Sequence, residues 1–188
     1  MKPDKAFFQN LAERVIAEMP LEDRFTEADA AEMARHKDFL LSLEGELVQS
    51  FYDSLFAHSA TAKVFHEGER PAREETLRTW WRRTVEGPFD ADYWSWQAYV
   101  GLVHVRRKVT NTMMLGHAGL VARLVAQKAV EAGRPELVGP VTRLMATVGA
   151  LVVAGYEEVH WAAVEDMTGQ SRALIEKSVE VAVEAWDK

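Results

Sequence analysis

Apolar residues recur at three- and four-residue steps along most of the chain, the spacing of helices that bury one face. Phe7, Phe8, Leu11, Val15 and Ile16 keep that spacing over residues 4–19, and Pro20 ends the segment. Thr26-Glu27-Ala28-Asp29 has the form of a capping box ahead of a helix over 30–43. After a break near Gly45, a further helix is expected from Glu46 to His58, with Leu47, Val48, Phe51, Tyr52, Leu55 and Phe56 as its apolar face. Residues 59–71 lack periodicity and read as an irregular corner, in which Val64 and Phe65 are the strongly apolar members. A helix over 72–85 groups Thr76, Leu77, Trp80 and Trp81; Glu86-Gly87-Pro88 stops it, and Asp90 stands where it can cap the next, which carries His104. The stretch 112–132 is apolar nearly all round, and 137–166 repeats Val141, Leu144, Val148, Leu151, Val152 and Val159. Gly169 separates it from a last amphipathic helix with Ile175, Val179, Ala182 and Trp186. No segment alternates with the two-residue period of a strand, so the pattern predicts an all-α chain of seven or eight helices, without repeats or a dividing linker.

Composition narrows this further. A chain of 188 residues that is 48% hydrophobic and 10% aromatic can bury one sizeable core. Its net charge of -7 speaks against a nucleic acid or an anionic membrane as partner. With no cysteine, disulfides, iron–sulfur clusters, thiolate-bound haem and CxxCH haem attachment are excluded, so any iron must rest on His, Met, Tyr or carboxylate. Met1-Lys2-Pro3-Asp4-Lys5 leads into no secretory-signal core, and no run approaches the roughly 18 uninterrupted apolar residues of a membrane span. Cytoplasm is the expected location.

His104 then stands out chemically. It lies in Tyr93-Trp94-Ser95-Trp96-Gln97-Ala98-Tyr99-Val100-Gly101-Leu102-Val103-His104-Val105-Arg106, where helical spacing puts Val100, Gly101 and His104 on one side with Gln97 and Tyr93 one and two turns earlier. Gly101 has no side chain and so leaves room for a planar group, and a neutral imidazole is a common ligand of transition metals and of haem iron. Taken alone, a histidine on an apolar helix face is as a rule a packed core residue; its company gives His104 another meaning. Glu157-Glu158-Val159-His160 contains the Glu-x-x-His spacing of di-iron bundles, but no second copy accompanies it, and a solvated or interface role is expected there. His36, His58, His66 and His117 show no paired ligand spacing, and no phosphate loop or nucleophile elbow is visible.

Phe51-Tyr52-Asp53-Ser54-Leu55, Phe65 thirteen residues after Tyr52, and Val100-Gly101-Leu102-Val103-His104-Val105-Arg106 together resemble the sensor-globin and protoglobin family, over roughly residues 25–165. The leading helix at 4–19 is similar to the pre-globin helix of protoglobins. The resemblance implies a globin fold with b-type haem (iron protoporphyrin IX) held non-covalently between the helix over 72–85 and the helix carrying His104. It implies that His104 bonds the iron, that the Tyr52 hydroxyl donates to the bound ligand, and that Phe65 packs on the porphyrin face. Thr76 matches a distal threonine, while an alignment shifted by one residue aims Leu77 at the ligand instead. Phe51, Trp80, Val100 and Met113 are expected in the pocket wall. Arg106, Arg107 and Lys108 read either as haem-propionate partners or as a solvated C-terminal turn favoured by the helix dipole, and here the chain departs from the apolar residue and glycine that many sensors carry.

These expectations divide the chain into a pre-globin helix (1–24), a haem-binding globin domain (25–167) and a C-terminal amphipathic helix (168–188). The implied function is binding or sensing of a diatomic gas, O2, CO or NO. The alternatives are a haem redox enzyme, as nitric oxide dioxygenase, nitrite reductase or peroxidase-like catalyst, and a haem-free regulatory globin, against which His104 argues. The tail after Gly169 is too short for a transmitter domain, which points to a stand-alone globin. Its amphipathic helix and the stripe over 137–159 point to a homodimer through the C-terminal helices.

Overall fold

The computed structural model describes residues 3–64, 66 and 68–186. These form α1 (Lys5–Glu18), α2 (Glu27–Arg35), α3 (Lys37–Ser42), α4 (Glu44–Ala57), α5 (Ser59–Ala62), α6 (Arg70–Glu86), α7 (Ala91–Arg107), α8 (Asn111–Glu131), a 3-10 turn (Pro135–Leu137), α9 (Val138–Thr168) and α10 (Arg172–Trp186), with no strand among the described residues. The all-α expectation holds, and the helices exceed the expected seven or eight for two local reasons. The segment over 30–43 divides at His36, whose N–H turns back to the Met33 carbonyl, and the corner over 59–71 contains the single turn α5.

Short polar residues set the helix starts. Asp4, Asp90 and Thr110 accept from the backbone N–H groups of Phe7, Tyr93 and Met113, and Thr26 and Asp29 cap α2 reciprocally. Asp29 is 3% exposed and also pairs with Arg143 of α9. Burial works against its charge, but hydrogen bonds from Arg143 and Thr26 outweigh that and hold its carboxyl below the usual range. Phe25 N–H donates to Thr147 Oγ1 at 2.9 Å, so the entry to α2 is tied to α9 twice.

α9 is the axis of the core. With the 3-10 turn before it, it is long and apolar enough to cross a membrane by length and composition, yet its Leu144, Val148, Leu151 and Val152 are buried against α2, α7 and α8. α7 lies most extensively on α9, and α1 covers the outer side of that pair through Phe8, Leu11 and Ala12 against Ala98 and Leu151. α4, α6 and α8 complete the main core on the inner side, around Leu47, Trp81 and Val125. α10 buries none of its residues and leaves Leu174, Val179, Val181, Val183 and Trp186 exposed.

Candidate functional site

Between α4, α6, α7 and α8 lies a cavity of about 360 Å³, within the range of cofactor and ligand pockets. α4 contributes Phe51 and Tyr52, α6 contributes Thr76, Leu77 and Trp80, and α7 contributes Val100 and His104. Met113 and His117 enter from α8, and Val148 and Val152 of α9 close the inner end. The wall is almost wholly carbon, because each helix turns the apolar face that its spacing predicts toward the others.

His104 sits in the last turn of α7. Its carbonyl accepts from Lys108 and Val109 as the chain leaves the helix through Lys108 in a left-handed conformation (φ 58°). The imidazole is largely buried, and its Nδ1 has no hydrogen-bond partner among the described residues. Burial pushes the ring down to about 4, so at neutral pH it is uncharged, the form that a metal ligand needs.

Tyr52 is 5% exposed and donates its hydroxyl to the Arg73 carbonyl of α6 at 2.7 Å. Burial raises it to about 12, and it stays a phenol with a single proton to give. Thr76 donates to the Ala72 carbonyl at 3.0 Å, and both Thr76 and Leu77 border the cavity, so neither alternative is removed from it. Trp80 donates its indole N–H to Gln97 Oε1 at 3.2 Å, a bond that ties α6 to α7 across the cavity wall.

Gly101 has a different part from the one its sequence suggests. A Cβ built there would overlap Tyr156 N and Val152 O and stand 2.6 Å from the Gly155 carbonyl carbon, while one on Gly155 would overlap Ala98 O. Gly101 and Gly155 therefore let the backbones of α7 and α9 touch, and Gly101 is not among the residues that line the cavity. Phe65 lies outside the described residues. Of the basic run after His104, Arg107 alone borders the cavity, where it bonds Glu69 at 3.3 Å; Glu69 also pairs with Arg73, and those hydrogen bonds, Arg73's foremost, hold its carboxyl low. Arg106 and Lys108 are exposed.

Beside Gln97, which its spacing already put on the His104 side, the lining takes in His117, which the sequence reading set apart for want of paired spacing. Gln97 is fully buried on the His104 side of α7, and His117 lies one turn after Met113 and one before Val121. That four-residue step was the available signal for His117, because pair-spacing rules within one helix do not detect a site assembled from several. Among the described residues the Glu157–His160 motif forms no metal-ligand cluster: His160 is exposed and lies against the Tyr156 carbonyl, and Glu158 pairs with Arg14 and Arg172. Elsewhere, Glu32, His36 and Glu136 come together, with His36 Nε2 at 3.2 and 3.0 Å from the two carboxylates.

A neutral imidazole whose Nδ1 has no partner among the described residues, beside a volume bounded by aromatic and aliphatic groups, suits a flat apolar cofactor that offers a metal to nitrogen. The family model described as Protoglobin matches residues 24–161, a span from just before the Thr26 cap to the outer part of α9 that contains every cavity residue named above. No curated protein matches the chain.

Proposed function

The chain belongs to the protoglobin family, and on that premise we propose that it holds b-type haem in the cavity and binds a diatomic gas, O2, CO or NO. The observation that carries the proposal is His104, largely buried and uncharged at the edge of an apolar volume, with its Nδ1 lacking a hydrogen-bond partner among the described residues. Haem, when bound, supplies the iron at which such a gas is taken up, and His104 is the residue offered to that iron. Phe51, Trp80, Val100 and Met113 keep water from the cofactor.

Tyr52 is the proposed donor to bound gas, and the fold sets a condition on it. Its one proton goes to the Arg73 carbonyl, so donation to a ligand requires the phenol to leave that carbonyl. The gain is then the difference between two hydrogen bonds, each about 1 kcal/mol net, unless water reaches Arg73 in exchange. Thr76 faces the same choice between a ligand and Ala72. At the rim, Arg107 meets a haem propionate only by sharing itself with Glu69.

A homodimer through the C-terminal helices belongs to the same proposal. Ile175, Val179, Ala182 and Trp186 follow each other at steps of four, three and four, the seam of a helix pair, on a helix that buries nothing in the single chain. Cytoplasmic residence is likewise proposed, in keeping with a chain free of cysteine. Haemin titration of the purified chain tests the proposal. A Soret band is expected in the wild type and in His160→Ala but not in His104→Ala, and a chain that takes up no haemin would contradict it. Sedimentation of the full chain with and without Val179→Glu and Trp186→Glu tests the dimer, which both changes should dissociate.

A further inference from the structure

His117 is the second imidazole of the cavity, and its two nitrogens are in unlike situations. Nδ1 lies 2.9 Å from the Met113 carbonyl oxygen one turn earlier on α8. A carbonyl oxygen only accepts, so Nδ1 carries the proton. In the neutral ring Nε2 then holds the lone pair, and this atom is buried without any hydrogen-bond partner among the described residues. The Phe51 ring, 4.7 Å away between centroids and tilted by 51°, packs on the imidazole, while Phe51 itself touches Tyr52 at 5.2 Å. His117 borders the cavity, and its ring is held there by one backbone bond and one aromatic neighbour. His160 makes the same Nδ1 contact, with Tyr156, but on the exposed part of α9; burial inside the cavity is what distinguishes His117.

Buried acceptors without a donor are costly, on the order of 1–3 kcal/mol, and a ligand that brings a donor removes that cost. A diatomic such as CO or O2 carries no proton and leaves Nε2 as it is. We infer that His117 is the hydrogen-bond acceptor of the cavity and favours small ligands that carry their own proton, hydrogen sulfide being the simplest probe, over aprotic ones such as carbon monoxide. This rests on the haem reading above and extends it. Tyr52 would serve ligands that need a donor, and His117 those that are one.

The experiment has two arms. Nitrogen-15 NMR of histidine-labelled, haem-free protein reads the tautomer directly, and the Nδ1–H form is expected for His117; an Nε2–H form overturns the inference. In the second arm, sulfide is titrated into the ferric haem-loaded protein and carbon monoxide into the ferrous, for wild type, His117→Leu and His117→Gln. One lost hydrogen bond predicts about tenfold weaker sulfide binding in His117→Leu. Carbon monoxide affinity should stay within about twofold, well under 1 kcal/mol. His117→Gln, whose Oε1 can accept near the position of Nε2, should recover most of the sulfide affinity. Equal losses for both ligands, or an unchanged sulfide affinity in His117→Leu, overturn the inference while leaving haem binding intact. A wild-type chain that takes up no haem overturns the haem reading itself, and the ligand preference with it.

Discussion

Gly101 and His104 stand three residues apart on α7, and the space around them is opposite in kind. A Cβ on Gly101 would overlap the backbone of α9, whereas His104 borders about 360 Å³ of open volume. At 3.6 residues per turn, three residues leave about 60° between two side-chain directions. That angle is enough to send one into a helix crossing and the other into a cavity. Nearness in periodicity therefore gives a shared side of the helix but not a shared neighbour. The Gly101–Gly155 crossing contributes indirectly to the site, since it fixes how closely α7 lies on α9 and hence where the last turn of α7, with His104, is held.

The contrast can be broken most severely at the crossing. Gly101→Val and Gly155→Val each force a side chain into backbone that cannot move aside, and each should cost about 3 kcal/mol or more of unfolding free energy, read from denaturant midpoints. Any haem loss in these variants would follow from unfolding.

At His104 the expected stability effect depends on pH. Burial lowers the ring to about 4, against 6.5 for a free histidine, so the unfolded chain binds a proton that the haem-free fold refuses. The stabilisation is complete above pH 6.5 and is lost as pH falls toward 4. A tenfold change in proton affinity is worth about 1.4 kcal/mol, which makes the whole effect about 3.5 kcal/mol at most. In His104→Leu the stability of haem-free protein should lose that slope between pH 6.5 and 4. An unchanged slope would assign the acid sensitivity to other groups.

Smaller effects sharpen the cavity side. Tyr52→Phe removes the bond to the Arg73 carbonyl and should cost about 1 kcal/mol in stability. In the haem-loaded protein its oxygen dissociation rate should rise severalfold if the phenol leaves Arg73 for the ligand, and stay constant if it does not. Lys108→Gly relieves the left-handed residue that ends α7 just beyond His104 and should add about 0.5 kcal/mol by thermal unfolding, with haem affinity unchanged.

The helices were legible because their causes are local. The 4–19 spacing and Pro20 bound α1, the Thr26–Asp29 box starts α2, and Asp90 starts α7. His36 breaks the expected 30–43 helix through a backbone turn that no residue type announces. Within the cavity, the wall residues were legible as apolar faces, but each decisive detail lies between elements. The partner of Tyr52 is a backbone carbonyl on α6, which leaves no side-chain pattern in the sequence. The obstacle at Gly101 is the backbone of α9, and the place of His117 in the cavity follows from α8 meeting α4. Arg106, Arg107 and Lys108 look alike in sequence, and only the end of α7 sets Arg107 apart by turning it toward Glu69.

The central claim, that His104 is the residue offered to haem iron, is tested most directly by His104→Gly with and without free imidazole. The account predicts that His104→Gly loses the wild-type haem spectrum and that added imidazole, filling the place of the missing ring, restores it. A wild-type spectrum in His104→Gly without imidazole would contradict the account and move the iron ligand elsewhere in the cavity.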